Sequence, residues 1–142
     1  MASVLEVRDK VGRYLTSRFN GVNIDKDGDF SFRVDSTRVF VRVTDWRKDQ
    51  TVIRVFAPIL IGAPLTQELK DYVALEGGKF VFGGISLQVD DKDSVAMFFY
   101  HSLLGDYLDE PELLNSCFAV GATADKLDDE LQTRFGGKKF HE

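Results

Sequence analysis

Two hydrophobic rhythms run along this chain. Val4, Val7, Val11, Tyr14, Leu15 and Phe19 recur at helical spacing, the signature of a stripe facing a core. Ser3-Val4-Leu5-Glu6 opens that stripe as a capping box, a serine oxygen for an early helical N–H and a glutamate reaching back. The spacing predicts a first helix to about Asn20. The period then drops to two. Phe30 to Val34, Arg38 to Thr44 and Thr51 to Leu60 read as strands, the last two joined by "DWRKDQ". Pairing Val43 with Thr51 places Val39, Val41 and Val43 beside Thr51, Ile53, Val55 and Ala57 on one face. Arg38, Phe40, Arg42, Val52, Arg54 and Phe56 fall on the other. Pro58 has no N–H for a ladder, so the strand ends, bulges or lies on an edge there.

Pro64 fits the first turn of a second helix with Leu65, Leu69 and Tyr72/Val73 on one side, stopped by Gly77-Gly78. Lys79 to Val89 and Ser94 to His101 form another hairpin around "DDKD". Pairing Val89 with Val95 puts Val81, Ile85, Leu87, Met97 and Phe99 on one face, and Phe82, Gly84, Ser86, Gln88, Phe98 and Tyr100 on the other. Asp109 caps a long third helix three residues before Glu112, with Leu113, Cys117, Val120, Ala124, Leu127, Leu131 and Phe135 as its stripe. Gly136-Gly137 ends it.

The order α-β-β-β-α-β-β-α, built of meanders and hairpins, predicts an α+β fold. It has two layers: a mainly antiparallel five-stranded sheet with the N- and C-terminal helices on one face. At 142 residues one domain is expected, residues 1–136, followed by a tail over 137–142.

Charge narrows the partners. The net charge is −5, with +2 through Asp71 and −7 from Tyr72 onward. An acidic second half lacks the clustered Lys/Arg that nucleic acid demands, so no nucleic-acid role is expected. The amino terminus has no apolar signal core, and the longest uncharged run, residues 55–67, is too short and broken to span a bilayer. The reading is a cytoplasmic protein with no membrane role. Cys117 is the only cysteine, which excludes an intrachain disulfide, and it reads as a small buried hydrophobe.

Candidate chemistry is thin. Asp25, Asp27 and Asp29 alternate like a calcium loop, but Phe30 and Ser36 stand where that loop requires Gly and Glu. The segment reads as a turn around Asp27-Gly28. His101, Ser102 and Asp106 carry the letters of a hydrolytic triad, yet neighbouring strand residues point apart and no G-x-S-x-G elbow is present. Gly77-Gly78 and Gly83-Gly84 lack the Gly-Lys-Ser/Thr that follows in a phosphate loop. No catalytic residue, metal or cofactor is expected.

The "SLLGD" corner followed by "ADKLDDELQTRFGG", within "FFYHSLLGDYLDEPELLNSCFAVGATADKLDDELQTRFGGKKF", resembles actinobacterial members of the YbjN family. The order of elements is similar to the fold shared by YbjN proteins and type III secretion chaperones. That resemblance covers essentially the whole chain. It implies protein binding, in the secretion chaperones by homodimers that hold extended segments of client proteins, and it implies no catalytic residue.

The sheet face without helices points the same way. Phe40, Phe56, Phe82, Phe98 and Tyr100 together would expose on the order of 300–500 Å², about the largest apolar patch a typical monomer shows. Arg42 and Arg54 interleave with the rings, the composition of an interface centre. The expectation is a non-enzymatic module, chaperone-like or regulatory, holding a partner segment on Phe40, Arg42, Arg54, Phe56, Phe82, Phe98 and Tyr100, with Trp46 as a second contact. Intramolecular cover by the first helix or the tail is the competing expectation for this face. Two other functions compete with the module. One is a structural homodimer using this face or Leu65, Leu69 and Val73; the other is a small-molecule binder near Gly83, Gly84 and His101.

Overall fold

The computed structural model describes residues 3–140. The elements are α1 (Val4–Arg18), β1 (Asn23–Ile24), β2 (Phe30–Val34), β3 (Thr37–Trp46), β4 (Gln50–Pro64), α2 (Gln67–Glu76), β5 (Gly84–Val89), β6 (Ser94–Leu104) and α3 (Glu110–Phe135). The α+β reading holds, with six antiparallel strands in place of five, in the order β1-β2-β3-β4-β6-β5. The added strand is the two-residue β1, too short to leave a periodic signal.

Local signals set the helix starts. Ser3 accepts from the Glu6 N–H at 3.2 Å while the Ser3 N–H donates to Glu6 Oε1 at 3.3 Å, the reciprocal box that starts α1. Asp109 Oδ1 accepts from the Glu112 N–H at 2.9 Å and starts α3. The start of α2 differs from the expectation: Thr66 is the cap, accepting from the Leu69 N–H at 3.1 Å, and Pro64 is the last residue of β4. At ~1.5 Å per residue the 26 residues of α3 reach ~39 Å, enough to pass over β2, β3, β4 and β6.

The β3–β4 register differs from the expected one by two residues. Val43 faces Ile53, and Asp45 faces Thr51. A two-residue slip preserves which face each side chain takes, so the aliphatic and aromatic sets survive it. At Pro58 the strand bulges: Pro58 pairs with Phe98, but Leu60 pairs with Met97, and Ile59 is the extra residue. The expected Val89–Val95 pairing is present.

One face of the sheet carries the core. Val39, Val41, Val55, Ala57, Met97 and Phe99 have no exposure, and they meet Val7, Val11 and Leu15 of α1 and Leu113, Cys117 and Val120 of α3. Phe19 stacks on Phe32 at 4.1 Å and touches Phe118 of α3 at 5.1 Å, closing the seam between the two helices. α2 packs at the far end of α3, Tyr72 against Phe135 at 5.3 Å. Among the described residues no helix is long and apolar enough to cross a membrane.

Candidate partner-binding face

The pleat sends Phe40, Arg42 and Trp46 of β3, Arg54 and Phe56 of β4, and Phe98 and Tyr100 of β6 to the side opposite the helices. The register arranges them in rows. Phe40 lies opposite Phe56, which lies opposite Tyr100; Arg42 lies opposite Arg54, which lies opposite Ser102. Phe40 and Phe56 stack at 5.4 Å, and Phe56 meets Phe98 edge-on at 6.2 Å. Shielding one another, Phe40, Phe56 and Phe98 are half-buried, while Tyr100 stays 41% exposed. A cleft of about 580 Å³ opens here, lined by Arg42, Arg54, Phe56, Ser86, Gln88, Phe98, Tyr100 and Ser102.

The two arginines at its centre are electrostatically unlike. Arg42 donates through Nε to both oxygens of the Asp29 carboxylate (3.1 and 3.0 Å) and through Nη2 to Oδ2 (2.7 Å). That hydrogen bonding raises the Arg42 pKa above its ordinary value, against the opposing pull of desolvation. The guanidinium also lies 5.3 Å from the centre of the Phe56 ring. Arg54 is exposed, and among the described residues no carboxylate lies within ion-pair distance of it. Arg38 donates to Ser31 Oγ at 3.0 and 3.2 Å.

Asp29 is the residue the sequence reading missed. The turn reading of its segment was correct, since Asp25 Oδ1 accepts the N–H groups of Asp27 and Asp29 at 2.8 and 3.1 Å. Only the fold brings that turn beside β3 and commits the Asp29 side chain, 6% exposed, to Arg42.

Phe82 does not join the face. Expected within a strand, it precedes β5, and Gly83 at φ +80 turns the chain against Phe99 and the Tyr100 carbonyl, where a side chain has no room. Phe82 therefore packs edge-on against His101 at 5.8 Å, on the helix side. There it lines a 240 Å³ pocket with His101, Leu103, Glu112, Asn115 and Ser116. Trp46 lies beyond the cleft, 38% exposed, with the Arg47 guanidinium 4.4 Å from its ring centre.

The residues expected at a dimer contact are used inside the protomer. Leu69 has no exposure and Leu65 and Val73 pack against the same core, because α2 turns its apolar side inward. His101, Ser102 and Asp106 make no triad: His101 faces α3, Ser102 faces the cleft, and Asp106 accepts from Thr51 Oγ1 at 2.6 Å. Burial pushes the Cys117 thiol up to about 12.

After α3, Gly136 (φ +83) and Gly137 (φ +77) turn the chain back on the sheet. Lys138 and Ile61 exchange two backbone hydrogen bonds of 2.8 Å, beside β4 where β3 has not yet begun. A Cβ on Gly137 would stand 2.9 Å from the Ile61 oxygen, so this approach requires glycine. Phe140 then meets Phe40 edge-on at 6.0 Å and extends the aromatic row by one ring. The tail, one of the two competing covers expected for this face, thus reaches it at Phe40, while the first helix packs on the opposite side.

This sheet, helix-covered on one side and aromatic on the other, has solved counterparts. The type III secretion chaperone SycH of Yersinia pestis, solved with a stable fragment of YscM2, superposes with a TM-score of 0.56 at 13% identity, covering 85% of this chain and 98% of that one. The HopA1–SchA chaperone–effector complex gives 0.59 at 13% identity, with 91% and 99% covered. An uncharacterized protein from Methanothermobacter thermautotrophicus gives 0.58 at 12% identity, with 92% and 99% covered. Identities this low establish a shared fold. No curated protein matches the chain significantly. The family model described as T3SS (YopN, CesT) and YbjN peptide-binding chaperone 1 matches residues 6–142. The chain belongs to that family.

Proposed function

We propose that this protein is a non-enzymatic peptide-binding module, chaperone-like or regulatory. It holds an extended partner segment on the face of Phe40, Arg42, Arg54, Phe56, Phe98 and Tyr100, with Trp46 at the margin. The observation that carries the reading is the 580 Å³ cleft, which sets five side chains of this group, Arg42, Arg54, Phe56, Phe98 and Tyr100, around one hollow on the sheet face that the helices leave open. Family membership supplies the prior that the ligand is a peptide. The arrangement offers rings for apolar side chains and hydroxyl and amide groups for a backbone, with no acid–base pair converging on a reacting atom.

The test is an NMR titration of the ¹⁵N-labelled chain with a peptide selected from a random 12-residue library. Shifts concentrated on β4 and β6 around Arg54–Phe56 and Phe98–Ser102, and abolished by Tyr100→Glu, support the reading. Shifts confined to α1 and β1 overturn it. A second copy of the chain is the competing occupant. Light scattering at twice the 16.0 kDa protomer mass, reduced to one protomer by Tyr100→Glu, would put a copy there instead.

A further inference from the structure

Arg54 is a strongly charged group at the centre of this face with no ion-pair or hydrogen-bond partner among the described residues. Arg42 has Asp29 and Arg38 has Ser31, but Arg54 stands exposed, directly opposite Arg42 in the register. Like charges directly opposite on neighbouring strands repel, and Asp29 neutralises only the first of the two. The cleft therefore keeps a net positive centre. Its nearest cross-strand neighbour on the other side is the Ser102 hydroxyl, a hydrogen-bonding group that adds no charge. A guanidinium in this setting is a fork for a carboxylate.

The rows on either side of Arg54 are apolar. Toward the hairpin, Val52 lies opposite Leu104, which is 43% exposed; toward the bulge, Phe56 lies opposite Tyr100. Successive rows on one face of a strand are about 6.8 Å apart, and so are alternate side chains of any extended peptide laid along it. An occupant running parallel or antiparallel to β4 thus meets apolar, cationic and apolar positions at its own residues i, i+2 and i+4.

We infer that the segment held here carries an apolar-x-acidic-x-apolar pattern, its Asp or Glu carboxylate seated on Arg54 and its flanking apolar side chains on Val52/Leu104 and Phe56/Tyr100. The inference rests on the peptide-binding reading above and names the chemistry of its ligand.

The experiment is selection from a random 12-residue peptide display library on the full chain and on Arg54→Gln and Arg54→Glu. Anisotropy with synthetic peptides bearing Glu, Gln or Lys at the centre follows. Arg54 is exposed, so the variants are expected to melt as cooperatively as the parent. The parent should enrich an acidic residue with apolar residues two places to either side. Replacing the central Glu by Gln, or Arg54 by Gln, should each weaken binding roughly tenfold, without further loss when combined. Arg54→Glu should recover the Lys peptide.

Apolar peptides enriched without an acidic centre, or Glu and Gln peptides bound equally by the parent, overturn the pattern and leave the peptide-binding reading standing. No peptide enriched, or enriched peptides that Tyr100→Glu still binds, overturns both.

Discussion

The two faces of one sheet differ more than any two elements of this protein. On β3 and β4 the odd positions Val39, Val41, Val43, Ile53 and Val55 are aliphatic and at most 1% exposed, sealed by α1 and α3. The even positions Phe40, Arg42, Arg54 and Phe56 on the same strands are aromatic or cationic and only partly covered, by one another and, at Phe40 and Arg42, by Phe140 and Asp29. β-branched side chains suit a dry face packed by helices, where close-packed contacts supply stability. Rings with two rotatable bonds suit a face that is ready to meet another molecule, since they lose little conformational freedom on contact, and a guanidinium adds a planar fork of donors for a carboxylate. The contrast separates what holds the protein together from what it presents.

Substitutions can break that contrast, and the largest effect belongs to the sealed face. Phe99→Ala removes a ring with no exposure, packed by Phe80 at 5.0 Å, and is expected to cost about 3–5 kcal/mol in denaturant unfolding. Its neighbour on the open face, Phe98→Ala, is expected to cost less than half as much. Equal losses would erase the distinction between the faces.

The thiol of Cys117 reports the same seal. With its pKa pushed from 9.0 to about 12 by burial, the folded protein carries about a thousandfold less thiolate than an exposed cysteine. Thiol labelling at pH 8 is expected only after unfolding. The linkage has a definite sign. The folded thiol keeps its proton more tightly than the unfolded one, so this contribution to stability is complete below about pH 9 and is lost as pH rises toward 12. Labelling of the native state at the rate of free cysteine would show the helix side to be open.

Asp29→Ala is the next smaller perturbation. It strips the buried partner from Arg42, which remains 47% exposed and can be rehydrated. An expected loss of about 1–3 kcal/mol by thermal unfolding would confirm that the ion pair anchors the turn to β3.

Truncation after Gly137 removes the Lys138–Ile61 pairing and the Phe140 ring. A loss of about 1 kcal/mol is expected, with the chain still folding cooperatively.

The smallest effect is the most telling. Arg54→Gln removes a charge that repels Arg42, so the free protein is expected to gain ~0.2–1 kcal/mol while peptide binding weakens. A loss of stability instead would mean that Arg54 is satisfied within the protomer.

Much of the fold was legible in local chemistry. The box at Ser3–Glu6 and the cap at Asp109 start their helices because a cap needs only four consecutive residues. The membership of each face was legible for β3, β4 and β6, because alternation is built into the pleat and survives a slip of two residues. Phe40, Arg42, Arg54, Phe56, Phe98 and Tyr100 reached their expected face for that reason. Phe82 did not, because Gly83 adopts a left-handed conformation that ends the alternation, and a glycine in sequence leaves that choice open. Leu65, Leu69 and Val73 illustrate a different limit: an apolar helix stripe looks the same whether a second chain or its own core covers it.

The sequence by itself determined the three helices and the two chemically opposed sheet faces, consequences of period, capping and composition within short stretches, and its closing segment carried the resemblance to the family. Tertiary structure alone decided the register of β3 on β4, the bulge at Ile59, the Asp29–Arg42 pair and the placement of Phe140 beside Phe40. These join residues distant along the chain, or depend on how strands lie once packed. Local periodicity carries no information about which distant partner wins; packing and the satisfaction of buried polar groups select it.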